Sequence, residues 1–326
     1  MKRFGLVFVL YNPSQAFLEN LVEARTACPN VIAVDNSPEA NVRLHEQVGA
    51  LGIQMVFNRN QGGLAGAYNR GAEELLAQAC EVIFLLDQDS DIEKTFFTEM
   101  MEVANGLGTN TFLIGPKIFE IKLQRYMPVI PPGKYFPKPI RIDDKTTGLF
   151  STMCIISSGS AISATAYREL GAFREDYFIE YIDVEYSLRA LSQNVPIYMN
   201  AAVTLRQSNG DIEQRGKLFS THHAAWRRYY IARNMVHCLR LYRSFCGLYW
   251  LSGLMAVQQA MTVLLFDSQK LEKVTAIACG YLDGMFGRLD RFEQRHRYLN
   301  ALCRRTERKL ASIDRGASPI AAGDEV

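Results

Sequence analysis

The chain has 326 residues, 48% hydrophobic and 21% charged, which suits one large domain with an appendage and excludes disorder, collagen and a simple coiled coil. Its seven cysteines contain no Cys-x-x-Cys pair, which argues against a disulfide framework or zinc ribbon and fits a reducing cytosol. The net charge of +2 hides an asymmetry: Arg215–Arg315 holds 18 Lys/Arg against 7 Asp/Glu, a local +11, which leaves the remainder at −9. An acidic first two-thirds suits a divalent cation. A basic last third suits anionic lipid or phosphate, or a solvated helical surface.

In chain order, Met1–Leu10 resembles the start of a signal peptide only superficially, because the apolar run stops at Tyr11-Asn12-Pro13 without a small-residue cleavage site. It predicts a buried first strand. Phe17–Ala27 has helical spacing, Val31–Val34 a second strand ending at Asp35, and Gln54–Phe57 a third running into Asn58-Arg59-Asn60-Gln61-Gly62-Gly63. Leu64–Ala79 predicts a helix and Val82–Leu86 a fourth strand ending at Asp87. Continuous apolar strands separated by helices indicate a mostly parallel sheet covered on both faces, with ligands beyond the carboxyl ends of its strands.

The middle is less regular. Five prolines between Pro128 and Pro139 predict an exposed loop, Thr152–Ser163 a strand region, and Ala164–Leu170 and Ile182–Leu191 helices. Beyond Phe219 the pattern is nearly all helical to about Lys309, and the tail Gly316–Val326 is small and polar, as disordered termini are. Ser244–Phe266 is 23 residues without a charge, long enough to span about 30 Å of hydrocarbon. Ser252, Gln258, Gln259 and Thr262 fall on one side of it, which predicts an interfacial or core-packed helix rather than a span.

Leu85-Leu86-Asp87-Gln88-Asp89-Ser90-Asp91 is the most informative cluster. Carboxylates at the end of a buried strand are costly unless paired, and an Asp-x-Asp there can place an oxygen on a hard divalent ion that holds a diphosphate. With the strand ends Tyr-Asn-Pro and Val-Asp-Asn-Ser and the run Asn-x-Gly-Gly-Leu-Ala-Gly-Ala-Tyr-Asn-Arg-Gly, the chain resembles a family 2 glycosyltransferase of the GT-A fold. Gly159-Ser160 and Phe178–Arg189 extend the likeness. Leu-Leu-Asp-Gln-Asp-Ser, Arg228–Asn234 and Gly280–Arg288 resemble the rhamnosyltransferase branch. The resemblance covers about residues 4–290.

The resemblance implies an open, mostly parallel sheet flanked by helices, with a helical C-terminal extension. It implies a catalytic domain over 1–235 (nucleotide-sugar half 1–115, acceptor half 116–235), a helical region over 236–312 and a tail over 313–326. It implies donor contacts from Tyr11, Asn12, Asp35, Asn60, Gly63, Asp87 and Arg233, acceptor contacts from Gly159, Glu180 and Glu185, and Mg²⁺ or Mn²⁺ on Asp89 with Gln207. Asp183 falls where the family places its catalytic base, a carboxylate that takes the proton of the attacking hydroxyl. The chain departs from the family in carrying Ile182 before that Asp, and Gln207-Ser208-Asn209-Gly210 where many relatives have His-x-x-Gly. An amide oxygen is a weaker metal ligand than imidazole.

The expected function is inverting transfer of L-rhamnose from dTDP-L-rhamnose to a cell-surface glycan or its lipid-linked precursor. The expected location is the cytoplasm, on the inner face of the membrane, without nucleic acid. The alternatives are a UDP-sugar-dependent transferase of the same fold and a catalytically silent glycan-binding subunit.

Overall fold

The computed structural model describes residues 2–13, 17–88, 90, 92, 95–133, 138–207, 213–215, 218–220, 222–245, 247–267 and 269–316. Its first half alternates strands β1 (Phe4–Leu10), β2 (Val31–Asp35), β3 (Gln54–Phe57) and β4 (Val82–Asp87) with helices α1 (Phe17–Ala27), α2 (Val42–Ala50), α3 (Gly63–Ala77) and α4 (Phe96–Gly106). Then come β5 (Leu113–Glu120), β6 (Arg125–Tyr126), β7 (Leu149–Ser151), β8 (Ala161–Ser163), α5 (Ala164–Leu170), α6 (Ile182–Ser192) and β9 (Ile197–Gln207). A short hairpin of β10 (Glu213–Arg215) and β11 (Leu218–Ser220) precedes the helices α7 (Ala225–Leu241), α8 (Gly247–Phe266), α9 (Lys270–Phe286), α10 (Phe292–Arg295) and α11 (Arg297–Gly316).

One sheet runs β3-β2-β1-β4-β8-β5-β9-β7, with β6 on β5. The first four strands are parallel, as their unbroken apolar runs predict, and so is the β5–β9 pair, whereas β8 and β7 run against their neighbours. Side chains alternate between the faces of β1: Val7 and Val9 join α3 and α6 in one core, Leu6, Phe8 and Leu10 join α1, α2 and α4 in the other. Both faces are dry, so the strands carry no polar alternation, and the order β2-β1-β4 leaves the strand ends as the open crevice.

Thr152–Ser163 is strand only at its end, and the two longest middle strands are absent from the sequence reading. β5 contains Gly115, Pro116 and Lys117, a composition that argues against a central strand. The structure accommodates it with an irregularity at Pro116/Lys117, where the register on β9 jumps from Asn200 to Thr204. The sheet continues unbroken past residue 115, and the proline stretch is partly pinned, with Val129 buried and bridged to Ile140. The C-terminal helices pack on the sheet-bearing part through α7, and α9 packs in turn on α7. A Cβ at Gly280 or Gly284 would lie 2.5 Å from the Tyr229 carbonyl or 2.4 Å from that of Arg233, so these two glycines set the closeness of the helices.

Helix α8 is inverted relative to a soluble helix. Ser252, Gln259 and Thr262 are buried, whereas Leu254, Val257, Met261, Leu264 and Leu265 are exposed. On α9 the exposed residues include Leu271, Val274, Leu282, Met285 and Phe286. Among the described residues no helix is long and apolar enough to cross a membrane. The tail beyond residue 316 lies outside the described residues.

Candidate active site

At the ends of β1, β2 and β3, short polar side chains tie the loops together. Asn12 N–H donates to Ser37 Oγ (2.8 Å), Asn58 Nδ2 donates to Asn36 Oδ1 (2.8 Å), and Asn36 Nδ2 donates to Asn60 Oδ1 (3.3 Å). Asp35 is fully buried: Oδ1 accepts from Ser37 N–H (2.9 Å), and Oδ2 lies 2.6 Å from His45 Nε2. His45 on α2 is a site neighbour that sequence reasoning missed; only the fold brings it back to β2. Tyr11 is half exposed, and its N–H donates to Gln88 Oε1 (2.9 Å), which links this cluster to the end of β4.

Beyond β4 lies a cleft of about 240 Å³ that brings together Asp87, Glu180, Asp183, Gln207 and Arg227. Tyr68 of α3, another residue missed in sequence, donates its hydroxyl to Asp87 Oδ1 (2.9 Å). Burial and the Asp87 charge push its phenol well up, so it stays a donor. Ser90 Oγ accepts from Asp87 N–H (3.1 Å) and lies 2.8 Å from Ser158 Oγ, which fastens this strand end to the opposite wall. Asp89 lies outside the described residues.

Asp183 stands in the first turn of α6. Burial foremost, and then the nearby Glu180 charge, push its carboxyl up to about 6, above the usual carboxylate range. A carboxylate of that basicity suits proton abstraction near neutral pH. Glu180 is ion-paired with Arg227. The segment carrying them is strained: Phe178, Glu180 and Tyr181 all have positive φ (64°, 64° and 61°), uncommon for residues with a side chain.

What holds that segment corrects the reading of Arg233. Rather than closing over a diphosphate, Arg233 is fully buried, and its Nη2 donates to the carbonyls of Asp176 (2.6 Å) and Tyr177 (3.2 Å), its Nη1 to Leu289 and Asp290. The rings of Tyr229 and Tyr230 flank its charge. Asn234 Nδ2 donates to the carbonyls of Tyr177, Ile179 and Glu180. Together the two side chains pin the strained loop from α7.

Three further corrections have the same physical cause, packing that a sequence does not display. Glu185 is buried away from the cleft, paired with Arg189 (2.5 Å) and accepting from the Tyr242 hydroxyl (2.6 Å), so it holds helices rather than an acceptor. Gly159 is buried, within 3.1 Å of Leu205, Phe96 and Pro116 as judged from a Cβ built on it, and Ser157 and Ser158 face the cleft instead. Gly63 (φ +63°) does permit a close backbone approach, but the approaching chain is the protein's own. A Cβ there would sit 2.1 Å from the Phe178 carbonyl, which accepts from Leu64 N–H.

A doubly covered sheet with carboxylates gathered at its strand ends is the arrangement of GT-A glycosyltransferases, and the comparisons agree. Residues 11–171 match the sequence model of glycosyl transferase family 2. These residues, just under half of the chain, carry the sequence pattern of that family. It is similar to the dTDP-rhamnosyl transferase RfbF of Shigella flexneri, 27% identical over 240 residues, which cover 72% of this chain and 79% of that protein. A solved structure of GalNAc-T7 with UDP, GalNAc and Mn²⁺ shares the fold, with a TM-score of 0.51 at 11% identity. That match covers 88% of this chain and 56% of GalNAc-T7, so the chain spans little more than half of that neighbour. S. aureus TarS 1-349 aligns with a TM-score of 0.47 at 15% identity, over 90% of this chain and 75% of that one.

Proposed function

We propose that the protein transfers L-rhamnose from dTDP-L-rhamnose, with inversion, to a hydroxyl of a cell-surface glycan or its lipid-linked precursor. The observation that carries this reading is the single cleft in which Asp183, its carboxyl raised to about 6, faces Asp87 at the end of β4. In the proposed step the acceptor oxygen bonds to the anomeric carbon while the bond from that carbon to the diphosphate oxygen breaks. The electron pair leaves with dTDP, and Asp183 takes the hydroxyl proton.

The nucleoside would occupy the polar cluster of Tyr11, Asn12 and Asn60, with fully buried Asp35 bracing the loops behind it rather than touching the donor, and Asp87 would meet the ribose or sugar. Arg227, at the cleft wall, would lie toward the diphosphate, since guanidinium binds phosphate oxygens in pairs. Among the described residues no group of three His, Cys, Asp or Glu could hold a metal ion. Gln207 and Asp87 nonetheless line one cleft and offer the oxygen donors that a hard cation takes. Asp89 and Gln207 would hold Mg²⁺ or Mn²⁺, which would neutralise charge developing on the diphosphate. The similarity to a dTDP-rhamnosyl transferase supports the donor.

The location that fits is peripheral on the inner face of the cell membrane. The exposed apolar faces of α8 and α9 are bordered by Arg240, Arg243, Lys270 and Arg288, all exposed. Apolar side chains within a cationic rim complement an anionic lipid surface.

The test is thermal unfolding of the full chain with dTDP-L-rhamnose, other dTDP-sugars and UDP-sugars, each with Mg²⁺ or Mn²⁺. A donor at 100 times its dissociation constant adds about 2.7 kcal/mol of stability. Stabilisation by dTDP-L-rhamnose above the others is expected. Stabilisation by UDP-sugars alone would replace the donor assignment, and none by any nucleotide-sugar would overturn the reading.

A further inference from the structure

A second cavity, of about 170 Å³, lies between α7 and α8 and shares Tyr181 as a wall with the Asp183 cleft. Its apolar side is formed by Ile231, Met235 and Met255, its polar side by Gln258, Gln259 and Thr262. The Gln259 side chain is more than nine-tenths buried, yet its Nε2 has no hydrogen-bond partner among the described residues. A buried amide N–H without an acceptor costs about 1–3 kcal/mol, and rotation of this side chain toward the cavity would let a ligand oxygen recover it.

We propose that this cavity is an acceptor subsite that holds a neutral sugar residue next to the one whose hydroxyl reacts at Asp183. This inference rests on the transferase reading above and assigns that reaction a second binding site. Three observations select a sugar over the alternatives. Methionine and isoleucine opposite a row of amide and hydroxyl groups match a pyranose ring, with one apolar face and a polar edge. A lipid chain would leave the Gln259 amide unpaired, since hydrocarbon supplies no acceptor.

An anion is less well served. The Arg228 guanidinium in the wall has its counter-ion in buried Asp267 (3.5 Å), which also pairs with Lys273 (3.0 Å). Burial foremost, with Arg227, Arg228 and Lys273 adding to it, pushes the His223 imidazole in the same wall down to about 3 and keeps it neutral. Neutral donors and acceptors are the chemistry of hydroxyl recognition. Met255 also belongs to the exposed side of α8, so the cavity lies between the carboxylate cleft and the apolar face. A saccharide whose anchor sits in a lipid surface could reach Asp183 through it.

The test uses the full chain with methyl glycosides as probes, methyl α-L-rhamnoside and the methyl glycosides of glucose, galactose and N-acetylglucosamine, followed by saturation-transfer NMR. At least one glycoside is expected to receive saturation in the wild type, with or without dTDP. Gln259→Leu should weaken that binding about tenfold, the worth of one good hydrogen bond, without lowering the melting temperature, because it also removes the unpaired donor. Ile231→Trp, which fills the cavity, should abolish it. Equal saturation in wild type and both variants, or none with any glycoside, would overturn the subsite. Hydrolysis of dTDP-L-rhamnose by the wild type is read in parallel. A wild type that binds glycosides but neither binds nor hydrolyses any nucleotide-sugar would remove the transferase reading, and the cavity would stand as a saccharide site without the acceptor role.

Discussion

Asp183 is where burial and chemistry meet. If it is the base, turnover requires the ionised carboxylate, so the rate should rise with pH through about 6 and level above it. Asp183→Asn should cost about 10²–10⁴ in turnover with donor affinity within about twofold, because the group serves the acceptor side. Transfer rates and donor binding for Asp183→Asn and Glu180→Gln check this, and a rate kept above about a tenth by Asp183→Asn would place the base elsewhere. The same residue carries a stability prediction. Its folded value lies above the ordinary 3.8, so its contribution to stability is complete below pH 3.8 and is lost as pH rises through 6. The neutral Asp183→Asn should therefore melt higher than wild type at pH 7.5, by about 1–3 kcal/mol of unfolding free energy. An inactive but stabilised variant is a signature that a merely structural carboxylate would not show.

At the scale of elements, the loop before α6 depends on α7. Asn234 spends its amide on three carbonyls of residues 177–180, and Glu180 and Tyr181 keep positive φ under that restraint. Asn234→Ala leaves buried carbonyls unpaired and should destabilise by about 1–3 kcal/mol. Turnover should fall at least about tenfold with KM for the donor little changed, since the loop positions Asp183 rather than the nucleotide. Denaturant titration beside steady-state kinetics separates the two losses. The α7–α9 contact offers a second lever. Gly280→Ala puts a methyl group 2.5 Å from the Tyr229 carbonyl, and the helices must part, at a cost of about 1–3 kcal/mol. A melting temperature equal to wild type would mean that the helix contact is looser than the glycines indicate.

Over the whole molecule, polarity is arranged inside out along one flank. Soluble helices bury apolar residues, yet α8 buries Ser252, Gln259 and Thr262 and exposes Leu254, Val257 and Leu264. Exposed apolar patches of this kind mark an interaction surface, and the cations beside this one suit the lipid surface proposed above. The full chain should float with anionic vesicles and less with neutral ones. Raised salt should weaken the attraction, to which each Lys or Arg near the surface contributes about 1 kcal/mol. Leu254→Asp with Leu264→Asp should abolish flotation without altering the melting temperature, as both side chains are more than half exposed. Retained flotation in that double variant would move the contact to the basic helix α11.

How much was legible in the residues follows the range of the forces involved. The four N-terminal strands, α1, α5 and the start of α6 are visible because apolar runs and periodicity are local, and Asp87 and Asp183 because they close or open such elements. The middle strands were hidden: β5 carries Pro116 and Lys117, and its place in the sheet is set by partners 84 to 87 residues away on β9. The side-chain assignments that changed were those of charged or small residues whose task depends on distant neighbours. Arg233 and Glu185 read as ligand-binding charges until the fold buried them among carbonyls and Arg189, and Gly63 read as a ligand approach until Phe178 filled it. By itself the sequence determined the four parallel N-terminal strands, the helices α1 and α3 between them and the carboxylates at the strand ends, because burial of apolar surface acts along short stretches of chain. Only the tertiary structure decided which charges face the cleft, because desolvation and pairing depend on which segments meet in space.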